Sequence, residues 1–164
     1  MNGGQQILAL AALTLLSYLI LSFGNTSNLF LETGLFNESV ISGSALAQSL
    51  IEEIQSRAFD ENTISQALTS VDNLTLSNSF GPDAGEFSSI DYDDIDDYNG
   101  FVLSDTLSRM GNYNAAVDIY YIVEFNPDTR SIERTFSKRI DIKITNPAVN
   151  TNITFSSIVS YWWI

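Results

Sequence analysis

Ile7 to Phe23 reads ILALAALTLLSYLILSF, an uncharged run that decides how the rest of the chain is understood. At about 1.5 Å of rise per residue it makes roughly 25 Å of helix, near the lower limit for crossing a hydrocarbon core of roughly 30 Å. The run therefore reads as a membrane span or an oligomerisation stem that carries everything downstream. A cleaved secretory signal would have a basic leader, a shorter apolar run and a small-residue cleavage site. The leader here is MNGGQQ and the first Lys or Arg is Arg57, so the stretch is expected to be retained.

The residues after the stem are enough for one modest domain with one core. The chain has 20 Asp and Glu against seven Lys and Arg, a formal charge of −13, which repels phosphate backbones and argues against nucleic acid as a partner. It has no Cys, so disulfides, thiol nucleophiles and thiolate metal sites are excluded. It also has no His, which removes the commonest general base and the usual zinc ligands. No enzyme and no resident cofactor is expected from such a chain.

Moving outward from the stem, GNTSN (24–28) combines Gly with residues that favour caps and turns, which predicts a soft joint and a boundary between 1–28 and 29–164. An amphipathic helix is expected over 29–59. Phe36, Val40, Ala47, Leu50, Ile51 and Ile54 recur at helical steps, and SALAQSLIEEIQSRAF (44–59) is its strongest part. Gly34 and Gly43 weaken it and mark candidate bends. Polar, turn-rich sequence follows, leading into an acidic loop over 80–105.

The last third alternates with period two and predicts a β-meander over 115–163. Val117, Ile119, Tyr121, Val123 and Phe125 share one face. Asn126-Pro127-Asp128-Thr129 reads as a turn, then Phe136, Ile140, Ile142 and Ile144 line the next strand, and Asn146-Pro147 opens a second turn. Ile153, Phe155, Val159 and Tyr161 follow. Five of the seven basic residues, Arg130, Arg134, Lys138, Arg139 and Lys143, fall here, so the chain is electrically polarised. Trp162 and Trp163 end the strand and read as core or interfacial residues. The fold class is α+β: a long N-terminal helix, half apolar and half amphipathic, packed on a C-terminal antiparallel sheet.

Asp91, Asp93, Asp94, Asp96, Asp97 and Asn99 place many hard oxygen ligands within one short loop, a chemistry suited to Ca²⁺. The spacing is not that of an EF-hand, and the residues alone favour a solvated acidic turn pinned to the core by Ile90, Tyr92, Ile95 and Tyr98.

The order of parts resembles type IV pilins and pseudopilins. SALAQSLIEEIQSRAFDE (44–61), DIDDYNG (94–100) and KRIDIKITNPAVNTNITFSSIVSYW (138–162) are similar to the helix end, the segment before the sheet and the closing hairpin of minor pilins of the mannose-sensitive haemagglutinin pilus type. The resemblance implies a pilin-like fold and a structural subunit of an extracellular type IV pilus-like filament or secretion pseudopilus. Such a subunit sits in the inner or cytoplasmic membrane before assembly and self-associates with identical or related pilins. Ile7, Leu8, Leu15, Leu16, Leu19, Ile20 and Phe23 would then form the filament core.

The resemblance also implies calcium at Asp91, Asp93, Asp94, Asp96 and Asp97, and processing after Gly4, which the residues alone read equally well as a flexible terminus. Members of that family carry a Glu at the fifth mature position. Here that position is Ala9, and no acidic residue precedes Glu32, leaving Gln5 and Gln6 as the nearby polar groups. The alternative reading is a monomeric, membrane-anchored extracytoplasmic module with calcium-binding capacity.

Overall fold

The computed structural model describes residues 2–107, 111–147 and 149–162. Helix α1 runs Gly3–Gln55, α2 is the single turn Glu61–Ile64, and five strands follow: β1 Val102–Leu107, β2 Gly111–Val123, β3 Asn126–Arg130, β4 Ser137–Asn146 and β5 Thr151–Ser160. The chain divides into two compact units, Met1–Glu38 and Ser39–Ile164.

In the first unit the apolar run is helical throughout and its large side chains are exposed, from 54% at Leu16 to 76% at Phe23. The expected joint at 24–28 is helical as well. The Thr26 hydroxyl donates to the Ser22 carbonyl at 2.9 Å, so this polar side chain bonds back to the helix instead of breaking it. Thr14 and Ser17 do the same with Ala11 and Leu13.

In the second unit, burial along α1 begins at Ser39 and follows helical steps through Gly43, Ala47, Leu50, Ile51 and Ile54. This is the expected stripe without its first two members: Phe36 is exposed and Val40 half-buried. The stripe packs on an antiparallel sheet ordered β1-β2-β4-β5, with β3 pairing the end of β2. Register across the centre pairs Ala115 with Ile144, Val117 with Ile142, Ile119 with Ile140 and Tyr121 with Lys138. Period-two alternation turns all of these to one face, and Ala115, Val117, Ile119, Ile140, Ile142 and Ile144 are buried there.

Gly43 lies where the helix comes close to the sheet. A Cβ there would meet Ile144 Cγ2 at 3.1 Å and Tyr113 Cε1 at 3.6 Å, so the glycine serves packing and not a bend. Beside it the Tyr113 hydroxyl donates to Ser39 Oγ at 3.0 Å.

Several expected boundaries move. Helix α1 stops at Gln55 and not at Phe59, because Ala58 leaves the helical ladder to pair with the acidic loop: its N–H donates to the Asp93 carbonyl at 3.0 Å, and Ile95 N–H donates to its carbonyl at 2.9 Å. Phe59 then turns into the core. The acidic loop ends before 105, since Val102–Leu107 forms β1, and the sheet begins well before 115.

The turn expected at 126–129 falls instead at Glu124 and Phe125, after which residues 126–130 return as β3 through an irregular register. Pro127 is tolerated there because β3 is an exposed edge strand where a missing N–H removes little. The inward face of β2 therefore ends at Tyr121; Val123 and Phe125 are exposed. Trp162 is also exposed, while Trp163 lies outside the described residues.

Candidate functional site

The acidic loop folds around its own carboxylates. Asp94 Oδ1 accepts the N–H groups of Asp96 and Asp97 at 2.6 and 3.1 Å, which starts the 3-10 turn Asp96–Tyr98. Asp97 Oδ2 reaches back to accept from Asp93 and Asp94, both at 3.1 Å. Asp and Asn side chains favour such local closure over regular structure.

The loop is then fixed to the sheet. Asn99 Oδ1 accepts Ile119 N–H at 3.0 Å, and Gly100, at φ +79°, allows its N–H to donate to the Val117 carbonyl at 3.1 Å. Tyr92, Tyr98 and Phe101 pack edge to face beneath it with centroids 4.9 to 6.0 Å apart, and the Tyr98 hydroxyl donates to Glu53 on α1 at 2.8 Å. The acidic stretch is buried in its second half, where Asp94, Asp96 and Asp97 are each at most 3% exposed, whereas Asp91 and Asp93 are exposed and Ile90, expected to pin the loop to the core, faces outward.

Lys138 answers this negative charge from the inward face of β4. Its side chain is fully buried, as is that of Asp60. Lys138 Nζ lies 2.7 and 2.8 Å from the two carboxylate oxygens of Asp96, and it donates to Asp60 Oδ2 at 3.2 Å and to the Phe59 carbonyl at 2.6 Å. The Phe59, Phe80 and Tyr121 rings stand 4.3, 5.0 and 5.2 Å from the same nitrogen. Asp60 also caps α2 through Asn62 N–H and accepts Thr75 N–H at 2.9 Å and the Thr75 hydroxyl at 3.1 Å.

Burial sets the electrostatics. It pushes Asp94 up to about 6 and Asp96 up to about 8, against the pull of Lys138 in both cases. Burial also pushes Asp97 up to about 7, with the neighbouring charge of Asp94 adding to the rise. For Asp60 burial acts the same way, yet Lys138 and the amides of Thr75 and Asn62 outweigh it and hold the carboxyl below its usual range. Tyr98 rises to about 12 through burial and its bond to Glu53.

The five carboxylates that the sequence groups as metal ligands are not brought to one point. Asp91 accepts from Phe87 N–H and the Ser88 hydroxyl, and Asp96 faces Lys138. Asp93 and Asp97 do converge, but with Glu86, which the sequence reading left out; their ligand atoms lie within 4.8 Å of one another. This trio is the group among the described residues that can hold a cation. A cleft of about 110 Å³ adjoins it, lined by Glu61, Thr75, Ser79, Gly81, Asp83, Asp94, Asp96 and Asp97.

Sequence reasoning also missed Asp60 and Lys138. The signal for Lys138 was present: it stands on the Phe136, Ile140, Ile142 side of a period-two strand, where a charge must be paired. The basic strand is largely neutralised inside the domain. Arg139 pairs with Asp128 and Asp141, Arg134 with Asp72, and Arg130 with Asp118.

The processing position Gly4 and the core candidates Ile7, Leu8, Leu15, Leu16, Leu19, Ile20 and Phe23 all lie on the exposed part of α1. That helix is long and apolar enough to cross a membrane, and its apolar span is unburied. Its architecture, an apolar N-terminal helix whose later turns pack on an antiparallel sheet, is pilin-like. Comparison with protein-family models, with curated proteins and with solved structures finds no match.

Proposed function

We propose that this chain is a structural subunit of an extracellular filament of the type IV pilus or secretion-pseudopilus kind, without catalysis, held together by its apolar N-terminal helices. One observation carries the reading: every large apolar side chain from Ile7 to Phe23 is exposed, while the second unit has a core of its own. Apolar surface on this scale needs a partner, and burial stabilises by about 25 cal/mol per Å² removed from water. Leu29, Phe30, Leu31, Leu35 and Phe36 prolong the uncovered surface beyond the stem.

The same helix serves two environments in this reading. Before assembly it resides in the membrane, and afterwards sister helices replace lipid around it. Repeated head-to-tail contacts that do not close a ring generate a helical polymer.

The test is to shear intact cells, pellet the released material and identify its polypeptides by mass spectrometry. The chain is expected as a main component of sedimentable fibres. Recovery solely with the membrane, as single copies after chemical cross-linking, would instead support the membrane-anchored module, for which a calcium titration read at Glu86, Asp93 and Asp97 is the next step.

A further inference from the structure

We propose that Lys138 and Asp96 become joined by a side-chain amide between Nζ and Cγ, formed by the folded domain itself with Asp60 as proton carrier. The bond would be an internal staple in a chain that has no cysteine.

Geometry carries the inference. The amine nitrogen is within 2.8 Å of both oxygens of one carboxyl group, which places the carbon between them next to it. Both side chains are essentially sealed from water, at 0% and 4% exposure. Three aromatic rings wall the nitrogen, and the second carboxylate, Asp60, is held 3.2 Å away by donors from Asn62, Thr75 and Tyr121. Fixing reactants in this way gives effective concentrations on the order of 10⁵ M or more, enough to make a reaction that is slow between free molecules proceed within a fold.

The step balances without any co-reactant. One ammonium proton passes to the Asp96 carboxylate, giving an amine and a carboxylic acid. The amine lone pair attacks Cγ, and the nitrogen releases a second proton to Asp60. Asp60 returns that proton to the departing hydroxyl, which leaves as water, and the carboxylate of Asp60 is regenerated. One C–N bond forms, one C–O bond breaks, and nothing is oxidised or reduced.

Two features favour the product. Condensation removes the charges of Lys138 and Asp96 from the dry site, and the Asp60 carboxylate, which loses that cation, keeps the donors of Asn62, Thr75 and Tyr121. The remaining N–H keeps the Phe59 carbonyl, 2.6 Å from Nζ, as its acceptor. The low exposure of both side chains limits the access of the water that hydrolysis needs. The staple links positions 42 residues apart and ties the acidic loop to the central sheet, restricting the unfolded chain as a disulfide would.

The experiment is intact mass measurement of the denatured full-length protein, followed by proteolysis and sequencing of cross-linked peptides. The expected result is a mass short of the sequence mass by one water and a branched peptide joining Lys138 to Asp96. A Lys138→Met variant should show its full sequence mass. Linear peptides containing unmodified Lys138 and Asp96, together with the full mass for the unaltered protein, overturn the proposal, as does the same water deficit in Lys138→Met. Neither readout depends on filament assembly.

Discussion

The two halves of helix α1 use similar residues under opposite conditions. Leu8, Leu15 and Leu19 are 55 to 72% exposed, whereas Leu50, Ile51 and Ile54, further along, are at most 8% exposed. Chemistry does not separate them, since both are Leu and Ile on a regular helix. What differs is the company each keeps: the later turns have a sheet face whose Val and Ile side chains match them, and the earlier turns have none within their own unit. A helix that is apolar all round and has no partner among the described residues of its own unit points to lipid or to other copies.

The largest effect is expected in the stem. The double change Leu16→Lys and Leu19→Lys places two charges where about 2.5 to 3.5 kcal/mol opposes membrane insertion of each. Loss of membrane and fibre association is expected, with the thermal midpoint of the globular unit unchanged; retention of both would show that the stem surface is not used.

In the second unit, Lys138→Ala leaves Asp60 and Asp96 buried beside no cation and should cost about 3 to 5 kcal/mol, read by denaturant unfolding. Smaller still is Gly43→Ala, whose new methyl presses on Ile144 at 3.1 Å and should cost about 1 to 3 kcal/mol through overpacking. The same change at Gly34, which has open space around it, should instead leave stability unchanged or raise it by up to about 1 kcal/mol. Equal effects at the two glycines would contradict the division between a packed and an unpartnered stretch of helix.

The gentlest probe is pH. Asp94 and Asp97 have folded values raised to about 6 and about 7, so between the ordinary carboxylate range and pH 7 the native state holds protons that the unfolded chain releases. Stability of the globular unit in chelator-containing buffer should therefore fall as pH rises from about 5 to about 8. Asp60 is lowered and has the opposite sign, so its contribution is lost on the acid side as pH falls through its folded value. The expected optimum is mildly acidic, checked by thermal melts across the range. Calcium should reverse the loss at high pH if the Glu86, Asp93 and Asp97 group holds it.

Much of the fold was legible because periodicity reports burial directly. The Ala47 to Ile54 stripe and the alternation of Ile140, Ile142 and Ile144 gave helix, strand and facing surfaces. Boundaries were less legible where a tertiary contact overrode the local pattern. Ala58 leaves the helix for the acidic loop, and residues 126–130 pair as an edge strand despite Pro127.

The site was legible in composition but not in assignment. The density of Asp over 91–97 was plain, yet which carboxylate meets Lys138, which meets Glu86 and which closes on backbone N–H groups depends on placing residues 60, 86 and 138 around one loop. Local spacing contains no information about that convergence. The buried lysine was the one clue, since a charge on the inward side of an apolar strand has to meet its counter-charge.

Cryo-electron microscopy of sheared surface material, reconstructed by helical symmetry, would show directly what surrounds the stem helix. The expected result is fibres in which this chain is a repeating subunit and Ile7, Leu8, Leu15, Leu16, Leu19, Ile20 and Phe23 are buried against sister helices. Fibres that lack the chain, or that leave those residues facing solvent, would contradict the filament reading.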